Sequence, residues 1–97
     1  MTRLIFAPLA ARDIDGIWDY TAGRWGIDQA EQYAGDIRDA CSALLLNPDI
    51  GQDAGTVRAG YRKQRSGSHF IFYRQVSDGG IEIIRVLHQS MDFGLHL

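Results

Sequence analysis

Cysteine is nearly absent from this chain. Cys41 is the single one in 97 residues, so no internal disulfide can form, and the composition suits a reducing cytosol. The two prolines, Pro8 and Pro48, stand where a helix would begin and where one would stop. No apolar run approaches the roughly 18 residues that a membrane helix needs, and the N-terminus has no signal-peptide core. The expected location is the cytoplasm, with no membrane partner. A phosphate-binding glycine loop, a CxxC pair and an HExxH helix are all missing. The histidines His69, His88 and His96 have no cysteine or carboxylate at metal-ligand spacing, so neither a metal nor a cofactor is expected.

Acidic residues are missing from one long stretch, Ala54 to Ser77. The net charge of −2 hides this asymmetry: residues 1–57 carry four basic and nine acidic side chains, and residues 58–97 carry six and three. Arg58, Arg62, Lys63, Arg65 and Arg74 crowd into the acid-free stretch. A basic face of this kind suits a polyanion or an acidic peptide. It also suits a strand edge protected from aggregation by its charges.

The chain is organised around the stretch from Arg62 to His88. Three apolar-rich runs are separated by Ser66-Gly67-Ser68 and by Ser77-Asp78-Gly79-Gly80. Both breaks hold residues that tolerate the positive φ of tight turns, so the runs read as consecutive antiparallel strands. In the middle run Phe70, Phe72 and Val76 alternate with Ile71 and Tyr73. In the last, Ile81, Ile83 and Leu87 alternate with Ile84 and Val86. A sheet with one wet face would not be apolar on both sides, so each face needs a cover.

Ahead of that stretch, Arg3 to Phe6 is a short β-prone run. Pro8 then opens a helix whose apolar stripe is Ala10, Ile14, Ile17, Trp18, Thr21 and Trp25. Gly26 can end it in a positive-φ cap. Asp28 and Glu31 have the capping-box spacing for a second helix. Its stripe is Ala30, Tyr33, Ala34, Ile37, Cys41, Leu44 and Leu45, and Asn47-Pro48 stops it. So short a link predicts an antiparallel helical hairpin. Asp49 to Arg58 reads as a loop, and the tail after His88 as an apolar segment that packs down or docks on something. The expected architecture is a single α+β domain over residues 1–97. Its order is β-α-α-β-β-β, with the hairpin across one face of a four-stranded antiparallel sheet.

One constellation carries a catalytic hypothesis. Arg65, Arg74, Arg85 and His88 fall on adjacent strands, where cations could stabilise a pentacovalent phosphorane and the histidine could act as general acid or base. Such a set could cleave RNA without a metal. A second acid–base group is lacking, however, and Arg74 and Arg85 alternate with apolar neighbours as structural arginines do. Cys41 lies on a core stripe and reads as a small core residue. Trp18 and Trp25, seven apart, also read as core.

Several segments together resemble the ParE toxins of the RelE/ParE superfamily of bacterial toxin–antitoxin systems. These are L-A-A-R-D-I-D-G-I-W-D-Y at 9–20, R-W-G at 24–26, Q-A-E-Q-Y at 29–33 and N-P-D-I-G at 47–51. V-R-A-G-Y-R at 57–62, H-F-I-F-Y-R at 69–74 and I-E-I-I-R-V-L-H-Q-S-M-D at 81–92 follow. The usual hydroxyl cap before the first helical proline is here Ala7. The resemblance implies a non-enzymatic protein that blocks replication by trapping DNA gyrase on cleaved DNA. It implies neutralisation by a ParD-like antitoxin, a ribbon-helix-helix DNA-binding protein whose C-terminal part folds along the toxin. DNA would then be met indirectly, through antitoxin or gyrase. The acidic part of the antitoxin is expected to meet Arg58, Arg62, Lys63, Arg65 and Arg74. RelE-like members instead cleave mRNA on the ribosome, and His88 falls in the strand region that supplies an acid in some of them. The clustered lysines and second catalytic group of those nucleases are missing here, which favours the ParE reading. With one helical hairpin and two apolar faces, the sheet is expected to leave a groove for an amphipathic segment, and a small adaptor that binds a helix there is a third possibility.

Overall fold

The computed structural model describes residues 3–97. Helix α1 (Pro8–Trp25) starts at the proline, with Ala7 as its N-cap and no side-chain cap bond. Helix α2 (Ile27–Leu46) follows after a single residue, Gly26, whose φ of +93° lies where glycine has no steric penalty. Gly26 alone turns the chain, so α2 begins one residue ahead of the expected Asp28 cap. Asp28 sits in the first turn without a capping bond, where its charge complements the positive helix end. Asn47 caps the far end, as the Asn47-Pro48 signal predicts.

The helices lie close together because Ala10, Ala30 and Ala34 are wholly buried. Ile14, Ile37, Cys41 and Leu44 complete their inner face and pack on Ile71, Tyr73, Ile81, Ile83 and Val86 of the sheet. Trp18 joins the rim of this core. Trp25 does not: it stands 61 % exposed at the end of α1. The stripe is helical in period, but the sheet does not extend beneath the last turn.

The sheet has five strands in the order β1-β5-β4-β3-β2. These are β1 (Leu4–Phe6), β2 (Gln52–Asp53), β3 (Arg62–Ser66), β4 (His69–Gln75) and β5 (Ile81–His88). Three form the expected antiparallel meander. The two-residue β2 adds an edge within the stretch read as loop, and β1 pairs with β5 in parallel rather than antiparallel fashion. A short apolar run carries no mark of its direction, so the sequence left that pairing open to correction. Tyr73 ties the loop to the sheet from inside the core. Its hydroxyl donates to the Pro48 carbonyl at 2.7 Å and accepts the Gly51 N–H at 3.0 Å. A Cβ on Gly51 would lie 2.9 Å from the Lys63 carbonyl oxygen, so the position is closed to larger residues.

A β-bulge changes which residues share a face. Phe72 is opposite Arg85 but Tyr73 is opposite Ile83, so Ile84 is an extra residue on β5. The alternation slips by one there. Val86 therefore joins Ile81 and Ile83 against the helices, and Leu87 faces the other way, the reverse of the sequence expectation. That other face is not open. Phe93 and Leu97 of the tail, with Tyr61 and Ala54 of the preceding loop, cover Phe70, Phe72, Ile84 and Leu87. Phe93 stacks edge-on against Phe70 and Phe72, with centroids 5.7 and 4.8 Å apart. The chain thus supplies its own second cover.

Candidate functional site

The basic residues are divided by the pleat. Lys63 and Arg65 are opposite Phe72 and Phe70 and so share the tail-covered face. The Lys63 ammonium lies 5.0 Å from the Phe70 centroid and 5.5 Å from that of Phe93, and the Arg65 guanidinium is 5.1 Å from Phe70. All three are cation–π contacts. Arg65 also donates to Gln89 Oε1 at 3.0 and 2.6 Å. Arg74 continues this face and bonds Glu82 across the strands at 2.8 Å. Arg58 reaches the Leu97 carbonyl at 3.3 Å. Arg62 is the exception. It is opposite Tyr73, on the helix side, and donates to the Gly51 carbonyl at 2.8 Å.

His88 is opposite His69, and both face the helices. The bulge puts it there: with Ile84 in strict alternation, His88 would have turned to the face that carries Arg65 and Arg74. The four residues of the catalytic hypothesis are therefore on adjacent strands but are not one cluster. Arg85 is engaged elsewhere. Its Nε and Nη2 donate to the two oxygens of Asp13 at 2.7 and 2.9 Å, and Nη1 reaches the His96 carbonyl at 3.2 Å. Asp13 accepts the Val86 N–H as well. It thereby closes the edge of β5 beyond the end of β1. Bonding to Asp13 holds the Arg85 pKa above its ordinary value. This is a structural arginine.

A groove of about 700 Å³ opens between α1 and the end of the sheet. Ile17, Tyr20 and Trp25 form its helical wall, and Met91 of the tail lies opposite. Tyr33, His69, His88 and Ser90 make its polar floor. The Tyr33 hydroxyl is 2.7 Å from His69 Nδ1 and accepts the Ser68 N–H at 2.9 Å. His88 Nδ1 accepts the Ser90 N–H at 3.1 Å and lies 2.7 Å from Ser90 Oγ. Burial lowers the His69 pKa, His88 lowers it further, and Asp13 opposes both. Of these residues only His88 stands out in the sequence as a functional candidate. Counting regular pairs back from Gln75–Ile81 would have set His69 opposite Leu87; the bulge brings the two histidines together. Nothing in the sequence marks Tyr33 or Ser90. Among the described residues no group of three potential metal ligands comes together. Cys41 is buried in the core, which pushes its thiol up to about 12.

The family model described as the ParE toxin of the type II toxin–antitoxin system parDE matches residues 4–93. A protein named Toxin ParE1 from Mycobacterium tuberculosis is 44 % identical over 96 residues, covering 99 % of this chain and 98 % of that protein. One of the same name from Caulobacter vibrioides is 46 % identical over 88 residues, covering 91 % and 90 %. Among solved structures, a chain of the chromosomal ParDE system from P. aeruginosa superposes with a TM-score of 0.78 at 23 % identity, covering 91 % of this chain and 96 % of that one. A chain of the YoeB–YefM complex from Staphylococcus aureus gives 0.58 at 16 %, covering 91 % and 97 %. At those identities the two structures speak for the fold alone, an α+β RelE/ParE-like one. The family match and the two relatives speak for more: this chain belongs to the ParE toxin family of type II toxin–antitoxin systems.

Proposed function

We propose that this toxin blocks replication by trapping DNA gyrase on cleaved DNA, catalysing no reaction itself, and that a ParD-like antitoxin neutralises it in the bacterial cytoplasm. The observation that carries this over RNA cleavage is the division of the candidate catalytic set. His88 is on one face of the sheet and Arg65 and Arg74 are on the other, with Arg85 tied to Asp13. General acid catalysis needs the proton donor within hydrogen-bond reach of the group that the cations stabilise.

The antitoxin, a ribbon-helix-helix DNA-binding protein, lays an acidic segment along Arg58, Lys63, Arg65 and Arg74, with Arg62 at the border of that surface. DNA is reached through the antitoxin or gyrase. Support comes from the family and from the absence of acids between Ala54 and Ser77. Lys63→Glu with Arg65→Glu should raise the antitoxin Kd by roughly tenfold or more at low salt, and added salt should narrow the gap. Equal affinities at low salt would remove this surface from the interface.

Purified toxin with gyrase, ATP and supercoiled DNA tests the target. Accumulation of cleaved DNA–gyrase complexes supports the proposal. Codon-dependent cuts in ribosome-bound mRNA, without cleaved DNA, would replace it with the nuclease reading.

A further inference from the structure

The groove beside α1 has apolar walls and a floor with a specific hydrogen-bonding capacity. The imidazoles of His69 and His88 meet edge to face, 5.2 Å apart. Each uses Nδ1 inside the protein. His88 Nδ1 accepts the Ser90 N–H, so it carries no proton, and the ring proton resides on Nε2. The Tyr33 hydroxyl accepts the Ser68 N–H and lies 2.7 Å from His69 Nδ1, to which it can donate its own proton. His69 is then also protonated at Nε2. Neither Nε2 has a hydrogen-bond partner among the described residues. Two such rings form a pair of N–H donors. They do not suit a metal, which needs the nitrogen lone pair.

The charges around the floor choose the kind of acceptor. Asp13 lines the groove, but both its oxygens are committed to Arg85 and the Val86 N–H. Arg12 lines the same wall and forms no ion pair with the described residues. Arg24 stands over the Tyr20 and Trp25 rings at 5.8 and 5.3 Å. A wholly apolar occupant would bury two donors without partners, which costs free energy. An occupant with an acidic group among apolar ones satisfies them and meets uncompensated cations. Gln89, bonded to Arg65, joins the basic face directly to the Ser90–Met91 border of the groove. A segment lying on that face can therefore continue into it.

We propose that the His69–His88 pair receives a carboxylate side chain from an amphipathic segment of the antitoxin, whose apolar side packs on Ile17, Tyr20 and Trp25. This rests on the antitoxin reading above. It also makes docking dependent on pH. The groups facing the pair are Asp13 and Arg12 on α1, Tyr33 on α2 and Ser90 of the tail, with Arg85 bound to the far side of Asp13, and in the free toxin burial opposes protonation of His69. A bound carboxylate reverses that balance, so the complex takes up protons and tightens as pH falls through the histidine range.

The test uses the full-length toxin and a synthetic peptide covering the antitoxin chain beyond its DNA-binding part. The wild-type Kd should be lower at pH 6 than at pH 8. His88→Leu or His69→Leu should raise it roughly 10- to 100-fold and flatten the pH response. His88→Gln, which keeps an N–H donor, should retain most of the affinity at pH 8. Changing the critical peptide acid to its amide should cause the same loss, and His88→Leu should add little to it. Circular dichroism establishes that each variant is folded. Long-range ¹H–¹⁵N spectra of the free toxin at pH 8 should show both rings protonated at Nε2. An Nδ1–H tautomer at either histidine, or peptide affinity indifferent to both histidines and to pH, overturns the carboxylate site. A peptide and an intact antitoxin that neither bind nor neutralise wild-type toxin overturn the antitoxin reading itself, and this site with it.

Discussion

Asp13 answers three hydrogen-bond donors with two oxygens: the Arg85 Nε and Nη2 and the Val86 N–H. The pair is mostly shielded, with 17 % of the Arg85 side chain and 15 % of the Asp13 side chain exposed. Removing the acid leaves a guanidinium and a backbone donor in a place poorly served by water. Asp13→Ala should therefore cost about 2–4 kcal/mol, measured by urea unfolding. A loss below about 1 kcal/mol would mean that water replaces the carboxylate easily. In the sequence Asp13 is one of several polar residues on the outer side of the first helix, and nothing distinguishes it. Its importance arises from a partner 72 positions away. His69 allows a second test at this scale. Its folded pKa lies below its ordinary value because of burial, then His88. The unfolded chain therefore binds the proton more readily, and stability should fall as pH drops below about 6.5 toward the folded value. His69→Gln should flatten that part of the stability profile. An unchanged slope would assign the acid sensitivity to other groups.

The helical hairpin was legible in its elements because each signal was local: Pro8, Gly26, Asn47-Pro48 and two stripes at a period of 3.6. Periodicity stops short of saying how far the sheet extends beneath a helix, so Trp25 read as core and is exposed. Leu44→Ala, at a position with 1 % exposure, should cost about 2–5 kcal/mol. Trp25→Ala should cost under about 1 kcal/mol. The same urea titration separates them, and comparable losses would mean that Trp25 is buried in solution beyond its contacts with Tyr20 and Arg24. The bulge was not legible. Ile84 resembles its neighbours, and a single extra residue is visible only in the pairing of β4 with β5. Nor could the sequence show that the second apolar face is covered by Phe93 and Leu97. A tail of mixed character fits self-packing and partner binding equally well.

At the scale of the whole molecule the helical half is acidic, the sheet half is basic, and the bulge determines on which side of that sheet His88 works. This separates the two candidate activities. A nuclease would use His88 to protonate the leaving 5′-oxygen, and loss of a general acid typically lowers the rate by about 10²–10⁴. A gyrase poison has no proton to transfer. In the structure His88 holds the turn at Ser90 through Nδ1 and faces His69 in the groove. Glutamine can keep a polar group of similar reach at that place. His88→Gln should therefore preserve growth inhibition in cells that lack the antitoxin. Those cells should filament with damaged DNA while bulk translation continues at first. Pulse-labelling of DNA and protein synthesis within minutes of induction reads the order of events, beside circular dichroism of the purified variant. Had the chain folded with strict alternation, His88 would share the face of Arg65 and Arg74, and the opposite result would be expected. If protein synthesis stops first, and a folded His88→Gln protein loses that arrest, the groove holds a catalytic acid and the gyrase reading is wrong.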